Sequence, residues 1–103
     1  MSVYKHLVIW KLTEKSRAPR VVEEAKNVLE ELRRNSPGLL KIELASTVGE
    51  DETSGDLVLY SEFSSMDAYQ QYDRSSAHLQ LKKIIGPHRQ HRMGADYLCL
   101  DNG

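Results

Sequence analysis

Residues 3–12 read VYKHLVIWKL, and this stretch decides the fold. β-Branched and aromatic residues dominate it, with alternation imposed on an apolar run, so it reads as a β-strand. One face carries Tyr4, His6, Val8, Trp10 and Leu12, and the other Val3, Lys5, Leu7, Ile9 and Lys11. Both faces hold large apolar side chains, so both need cover. The rest of the chain has to supply it.

The next segment supplies a helix over about residues 17–35. Val21, Ala25, Val28 and Leu32 recur at helical spacing, and Val22 and Leu29 widen the stripe. Ser16 is the expected cap, Pro19 is tolerable in a first turn, and Ser36-Pro37-Gly38 stops the helix. Residues 39–48 read as a second strand with Leu40, Ile42, Leu44 and Val48 on one face. A polar turn spans 49–55; it lacks the ligand spacing of a calcium loop and is expected to be solvated. A third strand over 56–63 places Leu57, Leu59 and Phe63 opposite Val58 and Tyr60. Ser64 or Ser65 caps a helical region of about 66–85, ended by Gly86-Pro87, and a fourth strand lies within about 89–100. The order β-α-β-β-α-β predicts an α+β fold, a ferredoxin-like protomer with an antiparallel four-stranded sheet and both helices on one face. The sheet face bearing Leu7, Ile9, Val58 and Tyr60 is then uncovered. A second copy is the expected cover, two sheets facing each other to form a dimeric α/β barrel.

Composition narrows the function classes. A length of 103 residues suits one domain, here taken as residues 1–103. Fourteen Lys and Arg against fifteen Asp and Glu give a net charge of -1, which offers no broad attraction for a phosphate backbone. Nucleic acid is therefore not an expected partner. The single cysteine, Cys99, allows no intrachain disulfide and is expected to be a buried, inert thiol. Residues 1–12 are broken by Lys5, His6 and Lys11, and no stretch approaches the roughly 20 apolar residues of a membrane span. No membrane partner is expected, and the expected location is cytoplasmic.

Several local features occur in a fixed order: Lys5-His6-Leu7-Val8 in the first strand, the Ser36-Pro37-Gly38 turn, and the run Ser61 to Tyr69 entering the second helical region. Ala77-His78 lies before Gly86-Pro87, and Ala95-Asp96-Tyr97 closes the last strand. Together they resemble the Dabb (stress-responsive dimeric α/β-barrel) family over about residues 3–98. Members usually carry His-Pro before the Ala-His pair; this chain has Ser75-Ser76, which changes the rim of any pocket beside His78. The start of its last strand, His88 to Arg92, is also unusually basic. The resemblance implies a ferredoxin-like protomer in a dimeric barrel, with diverse activities among members and none assigned for many.

Helical spacing sets Leu81 and Ile85 on the face of His78, and His6 shares its strand face with Val8 and Trp10. Tyr72 falls on a stripe with Met66 and Tyr69. His6, Tyr72, His78 and Asp96 are thus candidates to converge between sheet and helices, although the direction of Asp96 depends on the register of the last strand. Imidazole exchanges protons near neutrality, and a carboxylate on its other ring nitrogen fixes the tautomer. By resemblance to a plant polyketide cyclase of the family, His78 would be the catalytic base and Tyr72 would orient it and stabilise an enolate. His6, Val8, Trp10, Leu59, Leu81 and Asp96 would line the substrate pocket. The bland reading leaves both histidines as satisfied core groups that hold helix to sheet. His6, His78 and Asp96 are suitable ligand types for a metal but lack a local spacing. His88 and His91 would point to opposite faces of a strand, so no metal and no cofactor is expected. At the level of fold alone, a cofactorless monooxygenase would use Trp10, Tyr60 and Tyr69 as an aromatic pocket, and a non-enzymatic stress or assembly protein would need no pocket. The expected function is binding of a small apolar or aromatic carbonyl compound, with a cyclase or lyase as the enzymatic alternative.

Overall fold

A computed structural model describes residues 2–100; Met1 and residues 101–103 of the expected domain lie outside them. Strand β1, Ser2–Leu12, alternates in burial along its length, with Tyr4, His6, Val8, Trp10 and Leu12 inward. A 3-10 turn, Lys15–Arg17, leads into helix α1, Ala18–Asn35. Strands β2, Leu39–Ser46, and β3, Leu57–Phe63, follow. Helices α2, Met66–Asp73, and α3, Ser76–Ile85, precede strand β4, Arg89–Leu100. The sheet order is β2-β3-β1-β4, with every neighbouring pair antiparallel. This is the ferredoxin-like arrangement, with its second crossover built from two short helices.

The core lies between the helices and the inward face of the sheet. Ala18, Val21, Ala25, Leu29 and Leu32 of α1 meet Val8, Leu59 and Phe63 of the sheet, and Leu81 and Ile85 of α3 close the layer. Burial at these positions stabilises by roughly 25 cal/mol for each Å² of apolar surface removed from water. At the end of α1, Gly38 adopts φ 84, and a Cβ there would stand 2.5 Å from the Cβ of Ala68 on α2. Only glycine combines that backbone conformation with that approach.

The structure departs from the sequence expectations at several points. The helical region 66–85 is two helices. Ser75, at ψ 153, leaves the helix, accepts a hydrogen bond from the His78 amide at 3.1 Å and donates one to the Tyr72 carbonyl at 2.8 Å. A short side-chain hydroxyl that satisfies both ends of a break stops one helix and caps the next. On α2 the buried pair is Ala68 and Tyr72, four apart, while Met66 is exposed. Ser16 lies inside the 3-10 turn rather than capping α1, whose N-cap is Arg17. In β2 the pairing register shifts between Leu39 and Lys41, leaving Leu40 unpaired and exposed, and Val48 falls beyond the strand end. Cys99 is only half-buried, because β4 is an edge strand.

Asp56, just before β3, is 1 % exposed. Its Oδ2 accepts from the Leu12 amide at 2.9 Å, and Lys11 Nζ stands 3.9 Å from Oδ1. The carboxylate thus fastens the end of β1 to β3.

Candidate functional site

The register of β4 settles the direction of Asp96: it pairs with His6, so both side chains stand on the helix side of the sheet. The Nδ1 of His6 donates to Asp96 Oδ1 at 2.5 Å, and the Tyr4 hydroxyl donates to Oδ2 at 2.9 Å. Burial first, and then the bond to Asp96, push the Tyr4 hydroxyl up to about 12, so it remains a donor. The carboxylate holds His6 in one tautomer, with Nε2 left as the free ring nitrogen.

His78 is oriented in a parallel way. Its Nδ1 donates to the Asp73 carbonyl, the last residue of α2, at 3.0 Å. The Ser75 break makes this contact available, because it turns the last carbonyls of α2 toward the first turn of α3. Burial lowers the His78 pKa from its ordinary value, partly offset by the Asp73 carbonyl, so the ring is held neutral with Nε2 as an acceptor. Neither Nε2 has a hydrogen-bond partner among the described residues.

Both rings line one cavity of about 520 Å³ between β1, β3, α3 and the start of β4, a volume typical of small-molecule sites. Val8, Trp10, Leu59, Leu81 and Ile85 form its apolar wall. Lys82, Arg89 and Arg92 form a cationic rim. Of the residues expected at the site, His6, Val8, Trp10, Leu59, His78 and Leu81 therefore line the cavity. Asp96 stands behind His6.

Tyr72 is placed differently. Its ring packs 4.6 Å from that of His78, centroid to centroid, but its hydroxyl is sealed in the core without a hydrogen-bond partner among the described residues. Tyr72 borders a separate small cleft beside Ser36, Pro37 and Ser75. Burial raises its pKa well above that of a free phenol. Tyr69 stacks on Tyr4 at 4.8 Å and lies 4.8 Å from His6, and burial pushes its hydroxyl up to about 12. The sequence shows the basic run His88 to Arg92 but its place at the cavity rim was not foreseen, although two signals pointed to it: Lys82 lies one helical turn after His78, and Arg92 alternates onto the face of Asp96. Among the described residues, no three His, Cys, Asp or Glu side chains gather closely enough to hold a metal ion. No helix of the described residues is long and apolar enough to cross a membrane.

The fold has many relatives among solved structures. A dimeric protein of unknown function and ferredoxin-like fold from Bacteroides fragilis is 26% identical. The similarity covers 92% of this chain and 94% of that one, at a TM-score of 0.78. A Dabb family protein with a ferredoxin-like fold from Mesorhizobium loti is 19% identical over 98% and 100% of the two chains, at a TM-score of 0.74. A hydroxynitrile lyase from Passiflora edulis is 14% identical over 98% and 96%, at a TM-score of 0.73. No curated protein matches the sequence significantly. The sequence matches the Stress responsive A/B Barrel Domain over residues 4–99, and the chain belongs to that family, Dabb.

Proposed function

We propose that this protein is a homodimer that binds a small apolar or aromatic carbonyl compound in the cavity between sheet and helices. The observation that carries this reading is the pair of Nε2 atoms, on His6 and His78, left without partners among the described residues in one apolar-walled cavity while both Nδ1 atoms are anchored. Two buried imidazoles serving only as struts would be expected to satisfy both ring nitrogens. With Nδ1 still held by Asp96, an imidazolium form of His6 would donate from Nε2 to a ligand carbonyl, the neutral His78 Nε2 would accept from a donor group of the ligand, and the apolar wall would take its hydrocarbon part. Dimerisation through the face bearing Leu7, Ile9, Val58 and Tyr60 is supported by the dimeric state of the Bacteroides fragilis relative.

A second reading is favoured by the anchoring of His78. A neutral ring whose Nδ1 proton is committed to a backbone carbonyl presents Nε2 as a base, suited to removing a proton alpha to a carbonyl or from a hydroxyl. That is the chemistry of a cyclase or lyase, and the hydroxynitrile lyase from Passiflora edulis shares the fold. In this reading Tyr72 acts by buttressing the His78 ring.

The test of binding uses 2-acetonaphthone, a neutral aryl ketone, followed by nitrogen-15 NMR of the imidazoles. Saturable shifts of the Nε2 signals of His6 and His78, lost in the cavity-filling variant Val8→Phe, are expected. Imidazole signals that stay unmoved through the millimolar range would overturn the proposal.

A further inference from the structure

We infer that the ligand of this cavity is an organic anion, its carboxylate or phosphate head seated on Lys82, Arg89 and Arg92 at the rim and its apolar body against Trp10 and Leu81. This inference rests on the cavity being a ligand site. The three cations come from two elements, α3 for Lys82 and the start of β4 for the two arginines, and all three border the same cavity. None forms an ion pair among the described residues, whereas Arg17, Arg20 and Arg33 each have a glutamate partner. The acid nearest on the same strand face, Asp96, is committed to His6 and Tyr4. The whole chain carries a net charge of -1, so this concentration of positive charge is local rather than a product of composition.

Gly94 adds a geometric detail. It alternates with Arg92 onto the face of Val8, and a Cβ at 94 would stand 3.3 Å from Arg92 Nη1. The guanidinium therefore lies back along its own strand over the glycine, beside the cavity. A planar guanidinium offers paired donors matched to carboxylate and phosphate oxygens. Charges this exposed contribute little as isolated pairs. Three cations beside an apolar cavity, unpaired among the described residues, act together on an anion whose body displaces the water.

The test is isothermal titration calorimetry with three probes of one shape: 2-naphthoate, 2-naphthyl phosphate and neutral 2-naphthamide. The wild-type protein is expected to bind at least one anion about tenfold more tightly than the amide, and added salt is expected to narrow the gap. The tighter anion names the head group. In Arg89→Gln/Arg92→Gln the preference should collapse, anions binding no more tightly than the amide does; Arg89→Lys/Arg92→Lys should retain part of it. Because β4 side chains lie outside the core, these variants are expected to keep the wild-type circular dichroism spectrum. Equal binding of anions and amide by the wild type would overturn the anion inference and leave the cavity reading intact. If none of the three binds and 2-acetonaphthone also fails, both fall.

Discussion

His78 sits where two demands on a histidine oppose each other: burial disfavours its charged form, while the Asp73 carbonyl favours a protonated Nδ1. Burial is the larger influence, so the folded-state pKa lies below the unfolded one. Protons then bind the unfolded chain more readily, and stability falls as pH drops through the ordinary histidine range. Urea denaturation at pH 7.5 and pH 5 should show this loss, and His78→Asn should lose less between the same two points. Tyr4→Phe removes a donor to a carboxylate and should cost about 1 kcal/mol, read in the same experiment. The inward placement of His6 and His78 was legible from alternation and helical spacing. The orientation of Asp96 was not, because a one-residue slip of β4 would reverse it, and only pairing with β1 sets that register. Nor could the sealed Tyr72 hydroxyl be foreseen, since spacing reports which face a residue occupies and not how far its tip reaches.

At the scale of elements, the second crossover does most to shape the site. A continuous helix over 66–85 would direct the Asp73 carbonyl into its own ladder; the break at Ser75 turns it toward His78 instead. Ser75→Ala should therefore have two effects. Loss of the cap should cost about 1 kcal/mol, and the Nδ1 signal of His78 should shift as the ring loosens. Serine and alanine both occur within helices, so the residues Arg74 to Ala77 carry no proline or glycine to announce the break, and the hydrophobic stripe runs across it. The Gly38 turn was legible, and its reason is tertiary as well as local. Gly38→Ala should destabilise by roughly 2 kcal/mol or more, adding a strained backbone to a collision with Ala68. In β2, alternation alone put Leu40 inward; the register shift beside it is a pairing event that no periodicity records.

For the whole molecule, the open sheet face gives the proposed dimer its surface. Ile9, Met93 and Tyr97 are exposed there, and Leu7 lies between Tyr60 and Ala95 of the flanking strands. Analytical ultracentrifugation should find a dimer, with Leu7→Glu and Met93→Glu each shifting it toward monomer while the circular dichroism spectrum stays unchanged. A monomeric wild type at micromolar concentration would remove the homodimer from the proposal. On the helix side, by contrast, β1 and β3 are covered by the chain's own helices, while Leu98 and Leu100 of β4 stay exposed. This division was readable in residues 3–12, whose two faces differ in bulk and in lysine content.

β4 is hydrogen-bonded on one side to β1 alone and has no fully buried side chain, yet it contributes Asp96, Arg89 and Arg92. The charged groups proposed to seat the ligand's head are thereby kept apart from Trp10 and Leu81, which line the cavity from within the core. Substitutions at Arg89 and Arg92 can drift at low thermodynamic risk, while those at the buried positions of α1 cannot. Selection could thus retune what the cavity accepts by rewriting one short contiguous segment, an evolvability that suits a scaffold shared by proteins of such different chemistry.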